Sequence, residues 1–428
     1  MGQIMVSRKL NIAIWHNLPS GGGKRALYEH VRGLAGRGHN MEIWCPDTAD
    51  SSYLPLGDFA EEHVLPFDWQ APANASSIQN VMYPYRTIET KLKAMDRHCA
   101  ACAKEISARK FDVVFANSCM FFRSPPLARM LSQLPSVLYL GEPNRWFYEA
   151  SPRLPWLALP DAGKDLYTLK NLKIFLRDLV QVQGFRLQAR EERENAGGFD
   201  MILANSYYSR ESILRAYGLD ASICYLGIDG EHFRPTGARK EDFVIGLGSF
   251  TDGKGIELAI RSLSTIPQEL RPELKWVGNL TGGIYLEKMI SLAEGLKVRF
   301  DPRVRVPDAE LIDLLSRASV MLYTAKLEPF GFAPLEANGC GTPVVAVAEG
   351  GVRETIRHME NGLLVQERDP EAIGKAVQLL LEDHELARRL GQAGRNEVND
   401  RWTWQKAIDN LERYLAVVIA RRENKVTK

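Results

Sequence analysis

Ser319-Val320-Met321-Leu322-Tyr323-Thr324 and, three residues on, Glu328-Pro329-Phe330-Gly331-Phe332-Ala333-Pro334-Leu335-Glu336 decide how this chain is read. The first run is apolar and β-branched, and the segment after Glu336, Ala337-Asn338-Gly339-Cys340-Gly341, is built of small residues. The reading is strand, loop, helix start. Pro329, Gly331 and Pro334 exclude one continuous helix, because proline lacks the N–H and clashes with the preceding turn. Glu328 therefore falls on the loop. Pro334 suits the first helical position, which would put Glu336 in the first turn. Free N–H groups and a carboxylate then lie together at the carboxyl end of a strand, where α/β sheets bind anions and hydroxyls. A first-turn acid that only complements the helix dipole, worth about 0.3–1 kcal/mol, and a loop-surface carboxylate would look the same.

Working outward, strand-like and helix-like segments alternate, the pattern of doubly wound parallel sheets. Strands are expected at 10–15, 41–45, 111–116, 137–140 and 201–204, then at 243–247, 274–277, 343–347 and 363–365. Helical spacing runs from Leu166 to Asn195, with its basic residues nearly balanced by acids, so a solvated amphipathic face or a membrane-docking surface would fit it. Further helices are expected at 256–263 and 308–317, and a terminal one from about Gln405 to Arg421. The breaker-rich run Leu226 to Gly237 reads as a connection between domains. Two domains, residues 1–226 and 227–404, with a terminal helix over 405–428, are the expected organisation.

Composition excludes several classes. Net charge is +1 and charged residues make up 25% of the 428, so nothing calls for nucleic acid or an anionic surface. No apolar run approaches the roughly 20 residues of a membrane span, and Leu10 to Trp15 is short for a signal-peptide core. The expected compartment is the cytoplasm. Among six cysteines only Cys99-x-x-Cys102 has redox or zinc spacing. It lies in a helical stretch without a second pair, so structural thiols and no metal are expected.

Two glycine-rich turns follow expected strands. Gly21-Gly22-Gly23 would let the backbone approach an anion or sugar without a Cβ in the way. With Ala26, and Asp47 after the second strand, it also fits a dinucleotide fingerprint, though adjacent glycines fit several patterns. A plain strand-to-helix turn is the alternative. Gly248-Ser249-Phe250-Thr251-Asp252-Gly253-Lys254-Gly255 opens the second domain, and Lys254 could hold a diphosphate as a point charge.

The spacing Glu328 to Glu336, continued through Gly341-Thr342-Pro343 and Gly350-Gly351, resembles the E-x7-E signature of the family 4 glycosyltransferases. Weaker echoes include Arg37-Gly38-His39, Ala204-Asn205-Ser206, Gly227-Ile228-Asp229, Asn361-Gly362-Leu363 and the helix after Trp404. The resemblance implies an α/β protein of the GT-B fold. It would have two Rossmann-like domains facing a cleft, with the last helix crossing back to the first. It implies a retaining, metal-independent transferase that moves a hexose from a UDP- or GDP-sugar to a saccharide or lipid-linked saccharide and takes no cofactor. By the same resemblance Glu328 would face the donor sugar, Glu336 would hold the ribose and Lys254 the diphosphate. The amides of Gly331, Phe332 and Ala333 would cradle sugar and phosphate, and Gly21, Gly22 and Gly23 would close over the donor. The base would lie near Val304 and Arg305. Acceptors would meet Glu142, Asn144 and Arg145, where a packed loop fits as well, and a lipid-linked acceptor would bring peripheral contact with the inner membrane face.

Two positions depart from the family. Ser249 stands where an arginine usually precedes the lysine by five residues, and Asn117 where a histidine usually follows the fourth strand. Losing one electrostatic partner costs about 10²–10³ in rate; Arg353, Lys24 and Arg25 could substitute. A non-catalytic sugar-nucleotide-binding subunit, a nicotinamide-dependent oxidoreductase and an epimerase stay open as alternatives.

Overall fold

The computed structural model describes residues 8–72, 77–150, 154–157, 167–279 and 283–426; Leu166 lies outside them. Contacts divide the chain into two compact units. The first comprises Met1–Asn205, Arg210–Cys224 and Ile408–Lys428, and the second Ser206–Ser209 and Tyr225–Ala407.

The first unit opens with β1 (Asn11–Asn17), α1 (Gly22–Gly36), β2 (Asn40–Pro46), β3 (Glu61–Leu65) and α2 (Ser77–Ser107). It continues through β4 (Val113–Cys119), α3 (Leu127–Met130), β5 (Ser136–Tyr139), α4 (Arg145–Tyr148) and α5 (Leu169–Gly197). β6 (Met201–Ala204), α6 (Tyr207–Tyr217) from Arg210 on, and β7 (Ser222–Ile223) complete it. Its seven strands are all parallel, in the order β3-β2-β1-β4-β5-β6-β7. A parallel sheet must be covered on both faces. One face of β1 and β4, carrying Ala13, Trp15, Val114 and Ala116, packs on Met95, Cys99 and Cys102 of α2. On the other face, His30 of α1 meets the rings of Phe115 and Tyr139 edge-on.

The second unit begins with β8 (Glu241–Leu247), α7 (Ile256–Ser264), β9 (Glu273–Gly278), α8 (Gly283–Gly295), β10 (Phe300–Val304) and α9 (Asp308–Arg317). There follow β11 (Ala318–Tyr323), α10 (Phe332–Gly339), β12 (Val344–Val347), α11 (Val352–Thr355) and β13 (Gly362–Val365). The chain ends with α12 (Pro370–Glu382), α13 (His384–Asp400) and α14 (Trp404–Val426). Strand order is β10-β9-β8-β11-β12-β13, again parallel. Both sheets are thus doubly wound, with the order reversing beside the first strand of each unit.

Several expectations are corrected here. Ser206–Ser209 belong to the second unit although they follow β6: Ser206 Oγ donates to the Pro329 carbonyl at 2.5 Å, and the Glu354 carboxylate accepts from the amides of Tyr207 and Tyr208 at 3.0 Å each. Periodicity did not mark β3, β7 or β10. β10 contains Pro302, which is tolerated because it lies on an edge strand. The 31-residue α2 carries Pro84 inside it, a breaker that left only its later turns legible. The terminal helix is longer than expected. From Ile408 it belongs to the first unit, where Arg37 pairs with Glu412 and Asp409, and Tyr414 Oη donates to the Ile223 carbonyl at 3.0 Å.

Burial leaves a titration signature in the first unit. Burial lowers the imidazole pKa of His30 to about 3, and that of His16 to about 3 with help from the Lys24 charge. Unfolded, both would take a proton near pH 6.5. The unfolded chain therefore binds more protons below that pH, so stability is full above about 6.5 and is lost as the pH falls toward 3. Thermal unfolding followed from pH 7.5 to 4.5 should show a falling Tm, and His30→Leu should flatten that limb. An identical slope in the variant would assign the limb to other groups.

Candidate functional site

In the second unit the strand order reverses between β8 and β11, which pair side by side. At such a switch point the connections leave toward opposite faces and open a crevice at the carboxyl edge. The two residues singled out as most reactive meet there: Lys254 Nζ lies 2.6 Å from Glu328 Oε2, although 74 positions separate them in sequence. Each side chain keeps about a quarter of its surface exposed. A partly exposed pair of this kind contributes only about 0–1 kcal/mol to stability, so its placement is not explained by folding.

The backbone around the pair is tightly specified. Lys254 ends a 3-10 turn, Asp252–Lys254, and the chain reverses at Gly255 with φ +71°. A Cβ there would stand 2.2 Å from the Thr324 carbonyl oxygen. Thr324 Oγ1, buried, donates to the Gly255 carbonyl at 2.9 Å, which ties the lysine turn to the end of β11. On the other side Gly351 N–H donates to the Glu328 carbonyl at 2.8 Å. A Cβ on Gly350 or Gly351 would fall 2.4 Å from Glu328 O or 2.1 Å from Pro329 O. The Gly350-Gly351 doublet is thus the surface on which the Glu328 loop is moulded.

α10 begins at Phe332 with Gly331 as its N-cap residue. Pro334 is therefore third in the helix, not first. The early N–H groups of a helix lack intrahelical partners, so proline is tolerated there. Glu336 is correspondingly fifth, beyond the first turn, and only 6% exposed. Neither dipole capping nor a surface carboxylate describes it. One turn on, burial pushes the Cys340 thiol up to about 12. Gly331, Phe332 and Ala333 form the helix start facing the carboxyl edge.

Ser249 is part-exposed and within 3.3 Å of Thr251 Oγ1. Val304 closes β10, and Arg305 adopts φ +55°, its amide donating to the Gly278 carbonyl at 2.9 Å and Nε to the Asn279 carbonyl at 3.0 Å. Glu328, Lys254, Ser249, Gly331 and Val304 thus all lie at one edge of one sheet. Sequence reasoning missed Arg368, which donates to the Thr324 carbonyl at 3.0 Å and pairs with Glu349 at 3.1 Å. Only the tertiary contact reveals it.

In the first unit Gly21 is the N-cap residue of α1 with φ +137°, while Gly22 and Gly23 are already helical. The expected three-glycine loop is therefore one loop glycine and a helix start. Lys24 is buried, its pKa lowered by burial, with the carboxylates of Glu62 and Asp50 nearby opposing that shift. It is therefore a poor stand-in for an exposed arginine. Asp47 Oδ1 accepts from the Phe67 amide at 3.1 Å, which occupies the acid a dinucleotide ribose would need. Asn117 is a buried residue of β4. Glu142 lies between Arg123 at 3.2 Å and Arg145 at 3.8 Å, Arg145 also pairs with Glu149 at 2.7 Å, and Asn144 is the N-cap residue of α4. These three form a paired loop.

Among the described residues Glu42, Glu61 and His63 place ligand atoms within 4.8 Å of one another. Arg109 stands 3.3 Å from Glu42, so ion pairing accounts for that cluster. Burial pushes the Cys102 thiol up to about 12 and the Cys99 thiol well up, as buried structural thiols require.

The doublet predicts a steric effect. Gly351 has φ −73°, open to alanine, so Gly351→Ala should cost about 1–3 kcal/mol purely by overpacking Pro329. Gly253→Ala, where no atom lies within 4 Å of the new Cβ, should leave Tm unchanged. Equal Tm values for both variants would refute the moulding of the Glu328 loop.

Comparison with known proteins gives this geometry its context. The profile of Glycosyltransferase Family 4 matches residues 20–232, and that of Glycosyl transferases group 1 matches residues 229–397. A GDP-mannose-dependent alpha-(1-6)-phosphatidylinositol monomannoside mannosyltransferase of Mycobacterium tuberculosis is 29% identical over 52% of this chain and 63% of its own. A D-inositol 3-phosphate glycosyltransferase of Geodermatophilus obscurus is 30% identical over 62% of this chain and 64% of its own. The chain thus matches under two thirds of the length of these relatives. Anabaena HepE, solved with UDP-glucose, superposes with a TM-score of 0.65 at 16% identity, over 95% of this chain and 100% of that one. Two Rossmann-like units with these matches make the fold GT-B, and the chain belongs to the group 1, family 4 glycosyltransferases.

Proposed function

We propose that this protein transfers a hexose from a UDP- or GDP-sugar to a saccharide or lipid-linked saccharide, with retained configuration and without a metal or cofactor. The observation that carries the reading is the Lys254–Glu328 pair at the switch point of the second unit. Relatives named for GDP-mannose and for inositol phosphate support a transferase of this class.

Breaking the bond to the anomeric carbon separates charge: the sugar becomes cationic and the diphosphate more negative. Lys254 and the start of α10 at Gly331 are the groups that would receive the departing charge, in a site where no reorganisation is needed at the moment of reaction. Glu328 would orient the sugar through its hydroxyls, and Glu336, buried, would take the ribose. Val304 and Arg305 would border the base. On this reading the diphosphate competes with Glu328 for Lys254, so donor binding releases the carboxylate toward the sugar. Ser249 supplies no charge, and Arg353, whose Nε donates to the Gly350 carbonyl at 3.2 Å, is a substitute the same loop offers.

Glu328→Gln and Lys254→Ala should each lower transfer or donor hydrolysis by about 10²–10³. Tm should stay within a degree or two, since a part-exposed pair is worth so little. A panel of nucleoside diphosphates and their sugars in thermal shift should single out one base, since bound ligand stabilises as RT ln(1 + [L]/Kd). Near wild-type rates in both variants, or no response to any member of the panel, would overturn the assignment. Binding without turnover would favour a non-catalytic subunit.

A lipid-linked acceptor is favoured by one further observation. No helix among the described residues is long and apolar enough to cross a membrane. Yet the first half of α5 exposes Leu169, Leu172, Leu176 and Leu179, spaced as one stripe, with Lys170, Lys173 and Arg177 beside it. Apolar insertion flanked by lysine and arginine is what an anionic bilayer surface binds. Full-length protein should co-sediment with vesicles containing phosphatidylserine, less so in high salt, and Leu172→Asp with Leu176→Asp should abolish it. Equal sedimentation of the double variant would remove this face from the reading.

A further inference from the structure

The Glu328 loop is strained at its start. Leu327 takes φ +49°, a left-handed backbone that a bulky side chain rarely adopts. Such a conformation persists only where the surroundings over-determine it. On one side the Gly350-Gly351 doublet does so, and the Gly351 N–H fixes the Glu328 carbonyl at 2.8 Å. Pro329, next along, has no N–H with which to anchor itself. Its carbonyl is held from far away in the chain: Ser206 Oγ donates to it at 2.5 Å across 123 positions. Phe330, buried, packs its ring edge-on against Trp402, with centroids 5.8 Å apart, and Trp402 packs edge-on against Tyr225 at 5.2 Å.

Ser206 is itself fixed. It directly precedes α6, and its Oγ accepts from the Ser209 amide at 3.0 Å, the bond of an N-cap side chain. A hydroxyl has one proton to give, and the Pro329 carbonyl is nearer to it than the Ser209 hydroxyl at 3.0 Å. The amides of Tyr207 and Tyr208 donate to Glu354 Oε2 and Oε1 at 3.0 Å each. Glu354 Oε2 accepts a third bond, from Tyr225 Oη at 2.8 Å. Glu354 stands in α11, three residues beyond Gly351. The contacts thus close a circuit: Glu328 to Gly351, along α11 to Glu354, across to Tyr207, back to Ser206 and on to Pro329. All of its members belong to the second unit. Helix capping alone would account for Ser206 and Glu354 as stabilisers of α6. It does not account for consecutive carbonyls of one loop, the loop whose carboxylate meets Lys254, being taken by Gly351 and Ser206.

We propose that Ser206 and Glu354 are positioning residues for Glu328, a bracket that holds the strained loop so that its carboxylate stands at Lys254. The proposal rests on the transferase reading, and both residues act through the loop.

Two readouts on the full chain test it: release of UDP or GDP from UDP-glucose and GDP-mannose, and hydrogen exchange of the peptide spanning residues 327–336. The forms compared are wild type, Ser206→Thr, Ser206→Gly, Glu354→Gln, Glu328→Gln and the double variant of Ser206→Gly with Glu328→Gln. Glycine caps a helix nearly as well as serine but has no proton for Pro329, so Ser206→Gly separates the cap from the bracket. Glutamine offers an acceptor at only one of its two ends, so Glu354→Gln cannot take both amides. In Ser206→Gly and Glu354→Gln kcat should fall about tenfold or more, since a small misplacement of a catalytic group costs up to about 10²-fold. Kd for UDP and GDP should stay at the wild-type value, and Ser206→Thr should recover most of the rate. In the Glu328→Gln background Ser206→Gly should add no further loss, because a residue that acts through Glu328 then has nothing to position. Exchange over 327–336 should quicken in Ser206→Gly and Glu354→Gln and not in Ser206→Thr. An equal loss of rate in both backgrounds would make the role merely structural and sink the proposal, as would wild-type rates in Ser206→Gly and Glu354→Gln. A wild type that hydrolyses neither donor would instead remove the transferase reading. The exchange comparison then judges the bracket alone, and unchanged exchange in both variants would refute it.

Discussion

The parallel order of each sheet, reversing beside its first strand, is the constraint on which the rest depends. Where two neighbouring parallel strands send their connections to opposite faces, no crossover helix covers the carboxyl edge between them. Backbone and side chains there are left to be organised by local contacts rather than by helix packing. In the second unit those contacts are backbone to backbone: Gly255 against Thr324, Gly350 and Gly351 against Glu328 and Pro329. Such approaches cannot be made by residues with a Cβ, so the glycines and the reactive residues come as one package. The ion pair of Lys254 and Glu328 is a consequence of that moulding and contributes little to holding it.

The two switch points differ in chemical character. In the second unit the ends of β8 and β11 present a cation and a carboxylate with partial exposure. In the first the ends of β1 and β4 present neutral, deeply buried nitrogens. A charged edge keeps part of its pairing in contact with solvent. One architecture repeated with different side chains thus gives two strand-end edges of unlike chemistry.

Much of this was legible in residue order. Alternating apolar runs give the α/β class and most central strands, since strands buried on both faces must be β-branched and apolar. The Glu328 loop announces itself through Pro329, Gly331 and Pro334, residues that allow few backbones. Elements that break the apolar rule were lost: β10 with Pro302, α2 with Pro84, the two-residue β7. Ser206–Ser209 were assigned to the wrong unit because hydrogen bonds to Pro329 and Glu354, far along the chain, decide their place.

By itself the sequence determined two doubly wound units, the placing of Glu328 and Lys254 on strand-end loops, and membership of a transferase family, because backbone-restricting residues and strand periodicity are local. Only the tertiary structure decided that Lys254 touches Glu328, that Glu336 is buried past the first turn and that Lys24 is enclosed. Those facts depend on which strands lie side by side and on how tightly residues distant in sequence approach one another, and no local pattern carries them.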